Sequence, residues 1–223
     1  MTGAAADPGA AADPGATRDA RAAAVRIGVL FGAGSVCFAL GSLPGYVADL
    51  PGPAVAWTFV VGSVFFTSAA ALQLAGTDRA LRWDRLAGWV QLVGTVCFNV
   101  STLAATRDLA EPEARRLVWA PDVYGSVCFL VASGIAYALA RRGARPRSAA
   151  WWVAALNLAG SVAFGIAAVA ARYVGDTTDP ANLALVNLGT FLGAVAFLAG
   201  AALLPASVTP AAAPRRDRRR APG

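Results

Sequence analysis

The side chains that stand inside long apolar runs and carry chemistry are few: Asp122, the amides Gln73, Gln91, Asn99, Asn157 and Asn187, and the thiols Cys37, Cys97 and Cys128. Polar groups in such runs are the default place to look for function, because lipid makes each of them costly. Two roles compete for the amides: hydrogen bonds between helices, worth about 1 kcal/mol each, or the lining of a substrate or ion path. Asn99 lies near the middle of its run, whereas Asn157 and Asn187 stand in the first turns of successive runs, at opposite ends. The three therefore cannot share one depth. Asp122 follows Pro121 at a helix start, where proline fits the first turn and an acid complements the helix dipole. The other role open to it is that of a proton-carrying carboxylate. Three thiolates could in principle hold a soft metal such as Cu(I). Against this, the chain has one Met, no His and no cation near the thiols to lower their pKa. The cysteines read as small apolar packers, and neither a metal nor any other cofactor is expected.

All 19 basic residues are Arg, and neither Lys nor His occurs. That removes most general acids and bases and any Schiff-base or phosphate-loop lysine. No nucleophile–base pair or paired carboxylates appear, so catalysis is not expected. The composition is 57% hydrophobic and 14% charged, against roughly 25% charged in a soluble globular domain. The mean hydropathy of +0.55 agrees.

These residues must be positioned by membrane-spanning helices. A span needs about 20 mostly apolar residues, and six runs qualify, near 26–48, 54–75, 86–105, 118–140, 150–171 and 183–204. The expected fold is an all-α integral membrane protein, with a six-helix domain over 25–205. An Ala/Pro/Gly arm over 1–24 and a basic tail over 206–223 have almost nothing to bury and read as disordered. Pro44-Gly45 predicts a kink or fray at the end of the first helix. Orientation follows from arginine. The arm, the second and fourth loops and the tail hold 15, whereas the first, third and fifth loops hold four. Both termini are expected on the cytoplasmic side of a bacterial inner membrane.

Each run repeats one signature: Gly34-Ser-Val-Cys-Phe38, Gly62-Ser-Val-Phe-Phe66, Gly94-Thr-Val-Cys-Phe98, Gly125-Ser-Val-Cys-Phe129, Gly160-Ser-Val-Ala-Phe164 and Gly193-Ala-Val-Ala-Phe197. Glycine and phenylalanine four apart share a helix face. The glycine admits a neighbouring backbone and the phenylalanine fills the space beside it. Gly28/Gly32, Gly41/Gly45 and Gly189/Gly193 add small-xxx-small pairs. One signature per span points to duplication of a smaller unit, as three hairpins (26–75, 86–140 and 150–204) or as two triplets. Three hairpins would give parallel repeats about a membrane-normal axis, and two triplets inverted ones. Paired short spans with a G-S-x-x-F element resemble the YrhK-type domain, a two-helix bacterial membrane module of unknown function. The resemblance is best over 26–75 and 150–204, and the sixth run, 183–204, departs from it at Ala194. It implies fold and location and transfers no catalytic residue.

The leading functional expectation is a non-catalytic structural or interaction role, since every helix carries dry packing motifs. The alternative is a small-solute or ion transporter or channel built from internal repeats. The partners expected are the lipid bilayer, anionic lipid at the run Arg215 to Arg220, and a second copy or another membrane protein. Nucleic acid is not expected, because no folded basic face or aromatic platform accompanies the arginines.

Overall fold

The computed structural model describes residues 14–208. The chain forms α1 (Pro14–Gly41), α2 (Pro44–Asp49), α3 (Gly52–Gly76), α4 (Arg82–Ala104), α5 (Glu111–Ala114), α6 (Ala120–Gly143), α7 (Ala149–Ala170) and α8 (Leu183–Ser207). A π-helical turn, Arg115–Trp119, fuses α5 to α6. Among the described residues no strand occurs, only an isolated bridge between Tyr173 and Pro180. Six helical runs are long and apolar enough to cross a membrane: α1, α3, α4, the fused α5–α6 run, α7 and α8.

Three boundaries differ from expectation. Residues 14–24, expected within the disordered arm, belong to α1. Alanine and arginine are strong helix formers, and the apolar span already supplies the nucleus, so the helix propagates backwards. The first span was expected to run to 48. It stops at Gly41 and restarts as α2, because Pro44 has no N–H for a continuing helix but suits the first position of a new one. The fourth span was expected from 118 and begins at Glu111. Pro121 would drive its ring into the carbonyl four residues earlier, and the chain widens into the π turn immediately before it. Ser101 Oγ on α4 donates to the carbonyl of Val118 in that turn, at 2.8 Å. Residues 1–13 and 209–223, which hold the rest of the arm and the arginine-rich tail, lie outside the described residues.

Each spanning helix packs on the one before and the one after it, and α8 returns to α1, closing a ring. Closure is a backbone contact. Pro205 inside α8 leaves the Ala201 carbonyl without its helical donor. Gly28 of α1 sits against that oxygen so closely that a Cβ would lie 2.7 Å from it. The ring is apolar outward and small inward. The valine of every signature (Val36, Val64, Val96, Val127, Val162 and Val195) is 42–53% exposed, whereas the residue before each is at most 3% exposed. Exposed aliphatics over every helix are what lipid contact requires and what water would penalise.

Candidate functional site

The six signature phenylalanines meet in the centre of the ring and are all buried. Phe38, Phe98 and Phe164 form one triad with centroids 5.8–6.4 Å apart. Phe66, Phe129 and Phe197 form a second, at 5.7–6.1 Å. The triads stack through Phe38–Phe66, Phe98–Phe129 and Phe164–Phe197, at 5.2–5.5 Å. Tilted and edge-on rings at these separations attract by about 0.5–1.5 kcal/mol per pair beyond their area.

The glycines decide this geometry. A Cβ on Gly34 would strike Phe66, and one on Gly62 would strike Phe38. Gly94 and Phe129, Gly125 and Phe98, Gly160 and Phe197, and Gly193 and Phe164 repeat the arrangement. Each phenylalanine thus fills the space left by the glycine of the antiparallel neighbour rather than by its own. Five of the six glycines are followed by a hydroxyl side chain, and these hydroxyls serve packing. Ser63 Oγ meets Thr102 Oγ1 at 3.0 Å between α3 and α4, and Ser133 Oγ donates to Ser161 Oγ at 3.0 Å between α6 and α7. Ser126 is the exception: its Oγ is buried with no hydrogen-bond partner.

Above and below the phenylalanine layer lies a cavity. One, of about 420 Å³, opens at the end that carries the 77–81 connection and reaches Phe129 and Phe197. Gln73, Gln91, Ser133, Asn157 and Ser161 line it, with Asp78 and Asp84 toward its mouth. The other, of about 240 Å³, lies at the opposite end and reaches Phe38, Phe98 and Phe164. Asp122, Ser126, Ser101, Thr102 and Thr190 line it, with Phe59. For reference they are labelled the inner and outer vestibules, after the orientation expected from the arginines. Each is a blind pocket ending on one of the two triads.

The sequence candidates divide between them. Gln73, Gln91 and Asn157 converge on the inner vestibule and Asp122 on the outer. Asn157 also packs its Oδ1 against Gly200, where a Cβ would lie 2.9 Å away. Asn99 joins helices: its Nδ2 donates to Thr67 Oγ1 at 2.8 Å, while its Oδ1 is buried without a partner. Asn187 is half-buried near the first turn of α8. Cys37, Cys97 and Cys128 are free thiols, and Cys37 and Cys128 pack against Gly62 and Gly94. Among the described residues no cluster of three or more metal-binding side chains occurs.

Sequence reasoning missed Thr190, Ser126, Phe59 and the aspartates at the inner mouth. A signal existed for the first and third. Phe59, Asp122 and Thr190 each stand three residues before a signature glycine on the helices that descend from the outer end. Phe31, Gln91 and Asn157 stand three before one on the ascending helices. Each set sits one turn beyond a triad, and each places one phenylalanine on the first hairpin and two polar side chains on the second and third.

At the outer mouth, Arg115 of the π turn pairs with Glu111, its Nε donating at 2.6 Å. Its guanidinium also lies 6.0 Å from the ring centres of Trp119 and Tyr173. Trp119 Nε1 donates to the Ala168 carbonyl near the end of α7, at 3.0 Å. Tyr173, in the α7–α8 connection, has its phenol held above its ordinary value, first by burial and then by the charge of Asp122, with Arg115 opposing.

Fold and cavities together define a closed ring of six membrane-length helices with a blind vestibule at each end. No protein family, curated protein or solved structure matches the chain.

Proposed function

We propose that the protein is a small-solute transporter or channel, held closed here by the double layer of phenylalanines. The observation that carries this is the pair of opposed, polar-lined vestibules ending on the two triads. A bundle whose only task is to pack has no need of unpaired polar groups at both ends. Apolar constrictions of this kind gate a path by excluding water. The structural or interaction role read from the packing motifs is the competing account, and catalysis remains unexpected.

On this reading the unit is the hairpin, used three times around an axis along the membrane normal. The recurring Gly–Phe exchange within α1–α3, α4–α6 and α7–α8 supports that choice over two inverted triplets. The arginine asymmetry supports an orientation with the inner vestibule and both termini on the cytoplasmic side of a bacterial inner membrane, where the basic tail would meet anionic lipid.

The test introduces single thiols by Gln91→Cys and Thr190→Cys into a chain whose three native cysteines are alanine. In sealed vesicles, an impermeant thiol reagent should modify the first from one face and the second from the other. If neither reacts until the protein is unfolded, the vestibules are dry and the structural role prevails.

A further inference from the structure

The charged side chains lining both vestibules are all carboxylates, although the whole chain carries a net charge of +6. Asp78 and Asp84 stand toward the inner mouth and Asp122 in the outer vestibule. Two arginines close in the chain to these linings are otherwise engaged. Arg85 donates to the Thr77 carbonyl and, with Arg79, lines a neighbouring crevice. Arg115 at the outer mouth is engaged by Glu111.

Asp122 is the odd member of this set. It makes no ion pair or side-chain hydrogen bond among the described residues, and it shares its cavity with Ser126, whose buried Oγ also has no partner. Thr190 adds a third side chain without a protein hydrogen bond. Unpartnered polar groups around one cavity are a debt that native structures rarely carry, and a ligand or ordered solvent settles it. The rest of the lining narrows the ligand. Phe38, Phe59, Phe98 and Phe164 present rings to the same space. A hard metal cation needs six or more oxygen ligands, or an octahedral shell of them, and this wall is too aromatic to supply those. An ammonium group with an apolar body suits it, with the carboxylate for its charge and the ring faces for its methyl or methylene groups. At about 240 Å³ the cavity suits a small molecule, below the roughly 300–1,000 Å³ of drug-sized sites.

We infer that the outer vestibule is a binding site for a small organic cation, with Asp122 as counter-ion, Ser126 and Thr190 as hydrogen-bonding groups and the phenylalanine rings as its walls. This rests on the conduit reading for its purpose but not for its test. The full-length protein in lipid nanodiscs is titrated calorimetrically with tetraethylammonium, whose charge does not depend on pH. Saturable binding is expected. Asp122→Asn should weaken it about tenfold or more, a free-energy loss of about 1.4 kcal/mol or more. Asp122→Glu should recover part of the loss, and melting curves should show the variants folded. Absence of binding to the unaltered protein, or equal binding to Asp122→Asn, overturns the site. Tetraethylammonium flux into vesicles separates the two readings. Binding that depends on Asp122 without flux keeps the site and removes the conduit. Flux that ignores Asp122→Asn keeps the conduit and removes the site.

Discussion

The inner and outer vestibules stand on matching framework positions and differ in what those positions hold. One turn beyond the Phe66–Phe129–Phe197 triad come Phe31, Gln91 and Asn157. One turn beyond the Phe38–Phe98–Phe164 triad come Phe59, Asp122 and Thr190. On both sides the first hairpin contributes a ring, with Phe31 against Phe66 and Phe59 against Phe38. The other two hairpins contribute polar groups. The lesson is that the packing framework tolerates exchange at these positions. At these positions the inner side carries two neutral amides, and the outer side a carboxylate and a hydroxyl.

The comparison is broken most severely at the layer the vestibules share. Phe66→Ala and Phe38→Ala should each destabilise the fold by about 3–5 kcal/mol, because each removes a buried ring from four aromatic contacts. Thermal unfolding in detergent reads this, and the double variant should leak small cations from vesicles where neither single variant does. A smaller change copies the first hairpin onto the third. Asn157→Phe should fill the inner vestibule at a cost of about 1–3 kcal/mol. It should abolish thiol labelling at Gln91→Cys and leave Thr190→Cys reactive, whereas an equal loss at both positions would show the vestibules to be one space. Ser101→Ala acts on the outer side alone. It leaves the Val118 carbonyl in the π turn without its partner, and about 1–3 kcal/mol should be lost, with no change in inner labelling.

The smallest effect is electrostatic. Burial raises the Tyr173 phenol above its ordinary 10.0, so the folded protein holds that proton after the unfolded chain has released it. The associated stability is complete below the unfolded value and declines as pH rises through the folded one. Tyr173→Phe should flatten that alkaline decline, measured as unfolding midpoint against pH. An unchanged slope would place the phenol in water.

Much of this was legible in the residues. Six apolar runs gave the six membrane-length helices, and glycine and phenylalanine four apart gave one shared face in each. Gln91, Asn157 and Asp122 stood out because an apolar run leaves a polar group nothing to hide among. Other features were not legible, for identifiable reasons. Thr190 is one hydroxyl among many, and membrane helices routinely return such hydroxyls to their own backbone. Its one sequence signal is a register shared with Phe59 and Asp122, three before a signature glycine, and the common cavity gives that register its meaning. Asn99 and Asn157 look alike in sequence, yet one bonds Thr67 across a helix pair and the other borders a cavity. Helix ends were misplaced where proline acted through the preceding turn, at Pro44 and Pro121.

The sequence by itself determined the spans, the arginine asymmetry and the presence of one small-then-aromatic element per helix. Those are properties of a segment and its solvent, and each run carries them alone. Only the tertiary structure decided which glycine each phenylalanine fills and that the ring closes through Gly28 and Ala201. It alone decided that scattered polar residues gather at two depths on either side of one apolar layer. These depend on how antiparallel helices cross. Spacing within one helix fixes the face a side chain occupies, but not the neighbour that face will meet.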